Sequence, residues 1–362
     1  MLLRVLSIVG ARPNFIKMAP IIQALKQRKH ESILLHTGQH YDFNMATIFF
    51  KEFEDLKADY NLGVGSGTHA YQTGEMLKGI EKVILEEEPN VVLVPGDTNT
   101  TIAGALAATK LHVKVAHVEA GLRSYDKRMP EEINRILTDH CSDILLCPTQ
   151  TAITNLAKEG IKERVALVGD TMYELALKFQ NRIEEIKLEI TLPQEFILAT
   201  IHRAKNVGER LGEIMKQLIE IELPVIMPIH PRTKKKLLEL GLYEKVTEKL
   251  KIIEPLGYLE FSKLLKKAKI VITDSGGVQK EAYWNEIPCI TVRDNTEWIE
   301  TLKTGANILV KPEKIAETAQ KVAKKRCSFD KNLYGFLNTS ERIVKYMEEK
   351  IENKEKKQLT GS

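Results

Sequence analysis

Three acidic residues in the first half of the sequence stand where parallel strands would end. Asp97 and Glu119 each follow a short apolar run, and Glu131 opens a predicted helix. Each has a structural interpretation, such as Asp97 as a helix cap and Glu131 as a first-turn acid beside the helix dipole. However, neighbouring parallel strands lie about 4.8 Å apart, and their carboxyl ends are the usual ligand site of an open α/β sheet. We therefore predict that the three carboxylates meet at one sheet edge and form a candidate functional site there.

A basic segment at residues 10–17, Gly-Ala-Arg-Pro-Asn-Phe-Ile-Lys, predicts an anion site. It joins the first apolar run to the first helical pattern, and the amino terminus of a helix attracts negative charge. Arg12 and Lys17 add fixed positive charge there. The segment has neither the Gly-x-Gly-x-x-Gly pattern of dinucleotide-binding proteins nor a Walker A sequence. A solvated basic helix start remains the alternative interpretation.

A glycine-rich segment in the second half predicts another anion site. Asp-Ser-Gly-Gly-Val-Gln-Lys-Glu, at residues 274–281, directly follows an apolar run. Glycines allow backbone amides to approach a phosphate at a helix start, so Ser275, Gly276 and Gly277 would hold a pyrophosphate. Glu281 lies a turn further along the predicted helix, where its carboxylate would accept ribose hydroxyls. The segment therefore indicates a nucleotide diphosphate as ligand.

His202 also follows an apolar run of the second half, at another predicted strand end. A lone histidine suits a structural role as well as a catalytic one, and its position does not decide between them. The remaining histidines do not fall at metal-ligand spacings with acids or cysteines. We therefore expect no metal ion, and fixed cations with helix dipoles would neutralise a bound diphosphate.

The elements that must position these residues are short apolar runs alternating with helical patterns. The runs are almost continuously apolar, which predicts parallel strands buried on both faces. The predicted strands are Arg4–Val9, Ser32–His36, Val91–Val94, Val113–Val118, Ile144–Leu146 and Val165–Val168, followed by Phe196–Thr200, Val225–Pro228, Lys251–Ile253, Ile270–Thr273, Cys289–Val292 and Asn307–Val310. This alternation of strands and helices occurs twice along the chain. It predicts an α/β protein with two doubly wound, Rossmann-like domains that face one another across a cleft.

The helical patterns suggest where the domains begin and end. A long charged helix from Met172 to Leu188 is the expected hinge. We therefore place a first domain, which carries the acids, at residues 1–170 and a second domain at residues 171–340. A charged amphipathic helix within residues 341–362 is expected to pack back onto the first domain. A second long helix, Val207–Ile221, is predicted after His202.

The composition argues against several classes of protein. The 362 residues favour two domains, and 43% hydrophobic with 28% charged residues is ordinary for a soluble globular chain. The net charge of +4 is spread along the chain, so we expect no nucleic-acid partner. The four cysteines are scattered, and no apolar run is long enough to span a bilayer. A cytoplasmic protein without a membrane partner is the prediction.

Several motifs in a fixed order give the chain a family resemblance. It resembles the non-hydrolysing UDP-N-acetylglucosamine 2-epimerases over nearly its full length. The matching stretches are Gly-Ala-Arg-Pro-Asn-Phe-Ile-Lys-Met-Ala-Pro (10–20), Pro-Gly-Asp-Thr-Asn-Thr-Thr (95–101), His-Val-Glu-Ala-Gly-Leu-Arg (117–123), Pro-Glu-Glu-Ile-Asn-Arg (130–135), His-Arg (202–203) and Asp-Ser-Gly-Gly-Val-Gln-Lys-Glu (274–281). The resemblance implies a glycosyltransferase-B-like fold, a homodimer, a UDP-sugar substrate and no nicotinamide or other cofactor.

The resemblance also implies a mechanism and a set of roles. UDP is eliminated across C1–C2 of the sugar, C2 is reprotonated from the other face, and UDP adds back. The acid and base around the sugar would be Asp97, Glu119 and Glu131, and which of them serves which face stays open. The growing diphosphate charge would be borne by Arg12, Lys17, His202 and the Ser275–Gly277 loop. The implied UDP contacts are Phe261 on uracil, the backbone near Leu256 on the edge of the base, and Glu281 on ribose.

Departures from the family pattern leave the exact sugar open. Ala204 stands where family members usually have a second arginine, and Trp298 replaces an arginine of a Thr-Glu-Arg-Pro-Glu motif. Both resemble the branch that acts on UDP-2,3-diacetamido-glucuronate. The stretch after Gln39-His40, Tyr41–Met45, differs from the pattern linked to activation by substrate. The alternative sugar is therefore a diacetamido-uronate. The other classes of function are a hydrolysing 2-epimerase, a glycosyltransferase of the same architecture and a non-catalytic UDP-sugar sensor.

Overall fold

A computed structural model describes residues 2–38, 57–330, 332–335 and 337–359, including their side chains except at residue 12 and residues 353–359. The Tyr41–Met45 stretch, predicted to depart from the family pattern linked to activation, lies outside the described residues, as do Gln39 and His40. The chain divides into two compact units. Unit 1 comprises Met1–Lys178 with Asn332–Ser362, and unit 2 comprises Phe179–Lys331.

Unit 1 is built on a sheet that, within the described residues, has seven parallel strands. They are β1 (Arg4–Val9), β2 (Glu31–His36), β3 (Tyr60–Asn61), β4 (Val91–Pro95), β5 (Lys114–Val118), β6 (Ile144–Cys147) and β7 (Val165–Leu167), in the order β3-β2-β1-β4-β5-β6-β7. The central strand β4 is buried along its whole length. This burial on both faces is the physical reason that its sequence is continuously apolar.

The helices of unit 1 cover both faces of that sheet. They are α1 (Arg12–Gln27), α2 (His69–Glu87), α3 (Asn99–Lys110), α4 (Pro130–Cys141), α5 (Gln150–Lys158), α6 (Thr171–Lys178) and, from the end of the chain, α16 (Thr339–Leu359). Helix α3 is rich in small residues and approaches the sheet closely. A Cβ added at Gly104 would lie 2.9 Å from Val94 Cγ1 and 3.0 Å from Ile8 Cδ1. The small residues of α3 therefore set how closely it can approach β1 and β4.

Helix α16 is attached to unit 1 by polar contacts at several points along its length. Arg28 donates to both carboxylate oxygens of Glu348, and the His30 ring lies 2.7 Å from the same carboxylate. Nearer the start of the helix, the buried Glu174 accepts from the backbone N–H and hydroxyl of Ser340 at 2.7 and 2.8 Å. The chain thus returns to unit 1 after completing unit 2.

Unit 2 repeats the architecture with six parallel strands among the described residues. They are β8 (Ile197–Thr200), β9 (Val225–Pro228), β10 (Lys251–Ile253), β11 (Ile270–Thr273), β12 (Cys289–Thr291) and β13 (Asn307–Leu309), in the order β10-β9-β8-β11-β12-β13. Its helices are α7 (Gln180–Glu185), α8 (Ala204–Gly208), α9 (Leu211–Ile219), α10 (Pro231–Glu239), α11 (Tyr243–Lys249), α12 (Tyr258–Lys267), α13 (Gly276–Trp284), α14 (Ile299–Lys303) and α15 (Ile315–Val322), with a 3₁₀ turn at Pro312–Lys314. The predicted fold class, two doubly wound Rossmann-like domains, is confirmed.

The expected hinge helix, Met172–Leu188, is wrong as a single element. It is two helices, α6 and α7, separated at Phe179, whose φ of −94° and ψ of 4° lie outside the helical region. The two halves are held by different units. In α6, Glu174 contacts Ser340 of unit 1, whereas Glu184 of α7 accepts from Lys263 at 2.9 Å in unit 2. Tertiary contacts therefore override the continuous helical pattern.

The predicted helix Val207–Ile221 is also two helices, α8 and α9. The first begins earlier than expected because Asn206 is fixed in place. Its side chain donates to the Asp274 carboxylate at 3.1 Å and to the Val292 carbonyl at 2.9 Å.

Among the described helices, none is long and apolar enough to cross a membrane.

Candidate active site

The candidate residues lie where the strand order of each sheet reverses. In unit 1, β1 and β4 are neighbours although β2 and β3 separate them in sequence, and the basic turn and Asp97 follow them. In unit 2, β8 and β11 are neighbours, and His202 and Asp274 follow them. Such switch points leave a crevice at the carboxyl ends of the strands, which is where open α/β sheets bind ligands.

The turn after β1 is held against β4 by Asn14. Its side-chain oxygen accepts from the Ala11 N–H at 3.1 Å, and its amide donates to the Pro95 carbonyl at 3.2 Å. A Cβ at Gly10 would lie 1.9 Å from Thr100 Oγ1, so the turn admits no larger residue without movement. Arg12 is the first residue of α1. Its side chain lies outside the described part of the chain, so the role that sequence analysis gave it stays a prediction.

Lys17 projects from α1 onto Glu119, with which it forms a close ion pair. The side chains are 12% and 9% exposed, so solvent screens this pair less than it would a surface pair. The Lys17 charge was predicted to face a diphosphate, and its carboxylate partner was not predicted. Glu119 has a φ of +68°, unusual for a residue with a side chain, and such backbone strain clusters at functional sites. A neighbouring ammonium favours the proton-accepting form of a carboxylate.

Asp97 lies at the end of the neighbouring strand. Its carboxylate accepts from Arg135 Nη2 at 2.5 Å, and its carbonyl accepts from the Asn134 amide at 3.0 Å. Asp97 is not the helix cap that the structural interpretation suggested, because Thr98 holds that position in α3. The Asp97 side chain keeps 30% of its surface exposed, so it can reach a ligand. Register places Pro95 opposite Val118, which brings the Asp97 and Glu119 segments together.

Glu131 stands in the first turn of α4, partly buried. The same helix carries Asn134 and Arg135, whose side chains reach Asp97. The motif at residues 130–135 therefore brings Glu131 and the Asp97 partners to one sheet edge. Arg135 is a residue that sequence analysis did not single out. Its position one helical turn after Glu131 was the available signal.

His202 is positioned by the fully buried carboxylate of Asp274. That carboxylate accepts from the backbone N–H groups of His202 and Arg203 at 3.1 and 3.0 Å. The His202 ring stacks on the His230 ring at 5.7 Å between centroids. Burial lowers the pKa of His202, opposed by Asp274 and reinforced by Arg203 and Arg232. The imidazole is therefore neutral at pH 7 and offers a hydrogen bond rather than a full positive charge.

The glycine-rich loop begins α13. Ser275 precedes the helix, and its N–H donates to Thr273 Oγ1 at 3.0 Å. Gly276 and Gly277 are the first helical residues, so their amides belong to the unsatisfied set at a helix amino terminus. A Cβ at Gly276 would lie 2.4 Å from Glu297 Oε1. Glu281 follows one turn later and is 7% exposed.

The two implied uracil contacts lie beside this helix. Phe261 is in α12, and Leu256 comes shortly before it. Both are partly buried and pack against an apolar cluster that includes Ala282 of α13. They therefore belong to the same side of unit 2 as the glycine-rich loop.

The two departures from the family pattern occupy different environments. Ala204 opens α8, directly after His202 and Arg203. Trp298 is 2% exposed, and Lys280 Nζ lies 4.3 Å from its ring centroid in a cation–π contact. Lys280 is also buried and belongs to α13. A tryptophan at this position therefore packs under the glycine-rich loop, where an arginine would bring another charge.

Comparisons with known proteins agree on one family. A family model for UDP-N-acetylglucosamine 2-epimerase matches residues 23–348. A UDP-N-acetylglucosamine 2-epimerase homolog of Methanococcus maripaludis is 52% identical over 88% of this chain and 92% of its own length. The UDP-2,3-diacetamido-2,3-dideoxy-D-glucuronate 2-epimerase of Pseudomonas aeruginosa is 48% identical over 95% and 99%. A crystal structure of the Methanocaldococcus jannaschii UDP-GlcNAc 2-epimerase with UDP-GlcNAc and UDP matches with a TM-score of 0.91, 47% identity, and 96% and 99% coverage.

Proposed function

The chain belongs to the UDP-N-acetylglucosamine 2-epimerase family, and from that premise we propose that it interconverts UDP-N-acetylglucosamine and UDP-N-acetylmannosamine. It is an isomerase, as are the members of this family. One observation in the structure carries the proposal furthest. Two carboxylates follow adjacent strands, Glu119 against the Lys17 ammonium and Asp97 against the Arg135 guanidinium. Epimerisation at C2 requires proton transfer on both faces of one carbon, which such a pair can supply.

The reaction that we assign to this pair is elimination followed by re-addition. One carboxylate takes the C2 proton, and the C2–H electron pair forms the C1–C2 double bond. The C1–O bond breaks, and UDP leaves with that bond's electrons. Protonation of C2 from the opposite face and return of UDP to C1 give the epimer. Glu131 is the third candidate acid, and its assignment to a particular step is open.

Unit 2 supplies the groups that we assign to UDP. The amino terminus of α13 offers the Gly276 and Gly277 amides and a favourable helix dipole to the diphosphate. His202 would donate a hydrogen bond to the leaving group, whose charge grows in the transition state. The remaining assignments are Ser275 to the diphosphate, Glu281 to ribose, and Phe261 with the backbone near Leu256 to uracil. We also assign the positive charges of Arg12 and Lys17 to neutralising the diphosphate.

Proton NMR in deuterated water tests the function directly. The purified chain is mixed with UDP-N-acetylglucosamine, and the sugar C2 signals are followed. We expect UDP-N-acetylmannosamine that carries deuterium at C2, because the transferred proton exchanges with solvent at the carboxylate. Free N-acetylmannosamine and UDP as lasting products would instead indicate a hydrolysing enzyme. An unchanged spectrum over hours would contradict the proposed substrate.

A second candidate substrate is UDP-2,3-diacetamido-2,3-dideoxy-D-glucuronate. It is favoured by the Pseudomonas aeruginosa relative, whose 48% identity equals that of the Methanocaldococcus jannaschii UDP-N-acetylglucosamine 2-epimerase. Ala204 and Trp298 are the positions that bear on the choice, and the buried Trp298 lies beside Gly276 of the loop assigned to the diphosphate. The same NMR experiment with the uronate nucleotide decides between them. Epimerisation of that sugar alone would replace the first proposal with this one.

The Gly276→Ala variant is expected to lose about 10- to 100-fold in UDP affinity, because a weakened hydrogen bond to the charged diphosphate costs ~1.5–3 kcal/mol and each ~1.4 kcal/mol is tenfold. The added Cβ would press on Glu297, which is buried and pairs with Arg293 at 2.9 Å, so either this pair or the start of α13 must shift. Titration calorimetry with UDP measures the Kd. Gly212→Ala in α9 is the matched control, since a Cβ added there would have Leu242 Cδ1 as its nearest neighbour outside the helix, at 3.9 Å. Equal affinity in both variants would remove this loop from the nucleotide site.

The proposal extends to assembly and cellular setting. The family resemblance implies a homodimer, and we propose that it acts in the cytoplasm and supplies an activated sugar for cell-surface polysaccharide synthesis. Light scattering coupled to size-exclusion chromatography of the full chain measures its mass against the 41.0 kDa of one copy. A mass of a single copy at working concentration would contradict the homodimer.

A further inference from the structure

His117 lies beneath the proposed catalytic carboxylates and was not assigned a function from the sequence. It is a residue of β5, two positions before Glu119, and its side chain is fully buried. Both ring nitrogens have close partners. Nε2 lies 2.7 Å from the Gly96 carbonyl oxygen, and Nδ1 lies 2.7 Å from Asp139 Oδ1. The ring therefore bridges the residue before Asp97 and a buried carboxylate of α4.

The partners determine which atoms carry hydrogen. A carbonyl oxygen can only accept, so Nε2 must donate to Gly96. The other Asp139 oxygen already accepts from the Gly121 N–H at 3.1 Å and from Arg123 Nη1 at 2.6 Å. A carboxylate that accepts from a guanidinium and a backbone N–H is held in its ionised form. Asp139 is thus an acceptor as well, and Nδ1 must also donate.

The bridge connects the two strand ends that carry the proposed acid and base. Gly96 has a φ of +71° and lies directly before Asp97. A Cβ at Gly96 would be 2.9 Å from Lys17 Nζ and 3.7 Å from Glu119 Oε2, so this turn passes close to the ion pair. Asp139 meanwhile holds the Gly121 N–H, two residues after Glu119. The buried His117–Asp139 pair therefore supports both proposed catalytic segments from the side away from solvent.

We propose that His117 is a positioning residue of the epimerase, doubly protonated between Gly96 and Asp139, and that its hydrogen bond to the Gly96 carbonyl sets the orientation of the Asp97 turn. The inference rests on the proposed function for its effect on turnover. Its protonation and its contact with Gly96 are properties of the folded chain alone. Asp97 and Glu119 must be aligned with opposite faces of one carbon, so a small rotation of this turn would misplace a proton transfer.

Two substitutions separate the two hydrogen bonds. The amide nitrogen of asparagine falls near the position of Nδ1, and that of glutamine falls near Nε2. His117→Asn can therefore donate to Asp139 but not to Gly96, and His117→Gln can donate to Gly96 but not to Asp139. We expect kcat to fall by about 10- to 100-fold in His117→Asn, since misplacement of about 1 Å can cost that much. His117→Gln should keep most of kcat, and KM and the Kd for UDP should change little in both.

A packing role alone would give a different result. Both variants would then lose folded protein, measured by thermal denaturation, while kcat per folded molecule stayed at the wild-type value. That outcome, or a larger loss of kcat in His117→Gln than in His117→Asn, would overturn the proposal. The values of kcat are compared per folded molecule. A loss of stability from removing the Asp139 contact therefore does not change the comparison.

Nitrogen-15 NMR of the full chain with labelled histidine rings tests the inference without any activity. We expect two protonated ring nitrogens for His117, identified by signals absent from the variants or by contacts between the ring and the Gly96 α-protons. A single protonated nitrogen would overturn the proposal. If wild-type protein epimerises no UDP-sugar, the proposed function fails, whereas the ring spectrum and the Gly96 contact still decide whether His117 holds this turn as a buried cation.

Discussion

Glu119→Gln is expected to lower kcat by about 10²- to 10⁴-fold, the usual contribution of a general acid or base. The amide keeps the size of the carboxylate, but it cannot accept a proton and no longer pairs with Lys17 as an ion. Asp97→Asn should cause a loss of similar size, because C2 needs a proton-transfer group on each face. UDP should still bind, since its proposed ligands in unit 2 are unchanged. The measurement is the rate of deuterium incorporation at C2, followed by NMR.

The matched control is Asp143→Asn. Asp143 forms a close ion pair with Lys114 at the opposite end of β5, with side chains about one-third exposed. The substitution removes the same kind of lysine–carboxylate pair from the opposite end of β5, away from the switch point. We expect its turnover to match that of wild type. Wild-type turnover in both Glu119→Gln and Asp97→Asn would remove these residues from the proton-transfer roles.

Asp139→Asn is expected to destabilise unit 1 by about 3–5 kcal/mol, because it leaves buried positive charge without its partner. Asp139 is fully buried and pairs with both His117 and Arg123. Denaturant unfolding, followed by probes in each unit, measures the effect. Glu159→Gln is the control, since Glu159 pairs with the same Arg123 but is 26% exposed. Loss of an exposed partner should lower the free energy of unfolding by about 1 kcal/mol or less. Equal losses in the two variants would show that burial does not govern this network.

The difference in the free energy of unfolding between wild type and Asp139→Asn should decrease as the pH is lowered. The pKa of Asp139 is lowered in the folded chain, so its carboxylate stabilises the fold above the ordinary pKa of an unfolded aspartate, about 3.9. This contribution is lost as the pH falls through the lower, folded pKa. The gap between wild type and Asp139→Asn should therefore be full near pH 7 and narrow below about pH 4. A gap that widened in acid would contradict this assignment.

Much of the fold was predictable because its strands carry a strong local signal. Arg4–Val9, Lys251–Ile253 and Ile270–Thr273 are observed with the predicted bounds. A strand buried on both faces must be apolar at every position, so its sequence is distinctive. The short strand Tyr60–Asn61 and the exposed, charged helix Pro231–Glu239 lack such a signal and were not predicted. The helix break at Phe179 was not predicted for a related reason, since the helical sequence pattern continues across it.

The sequence by itself determined the two parallel sheets and the strand ends at which the candidate residues stand. It did so because buried strands and the helices between them have different hydrophobic patterns, and these alternate in a recognisable order along the chain. The tertiary structure alone decided which charges meet. Lys17 and Glu119 are 102 residues apart, and Asp97 and Arg135 are 38 apart. An ion pair depends on distances of a few ångströms between side chains, and no local pattern records that distance. His117 became interpretable for the same reason, once the partners of both its nitrogens were known.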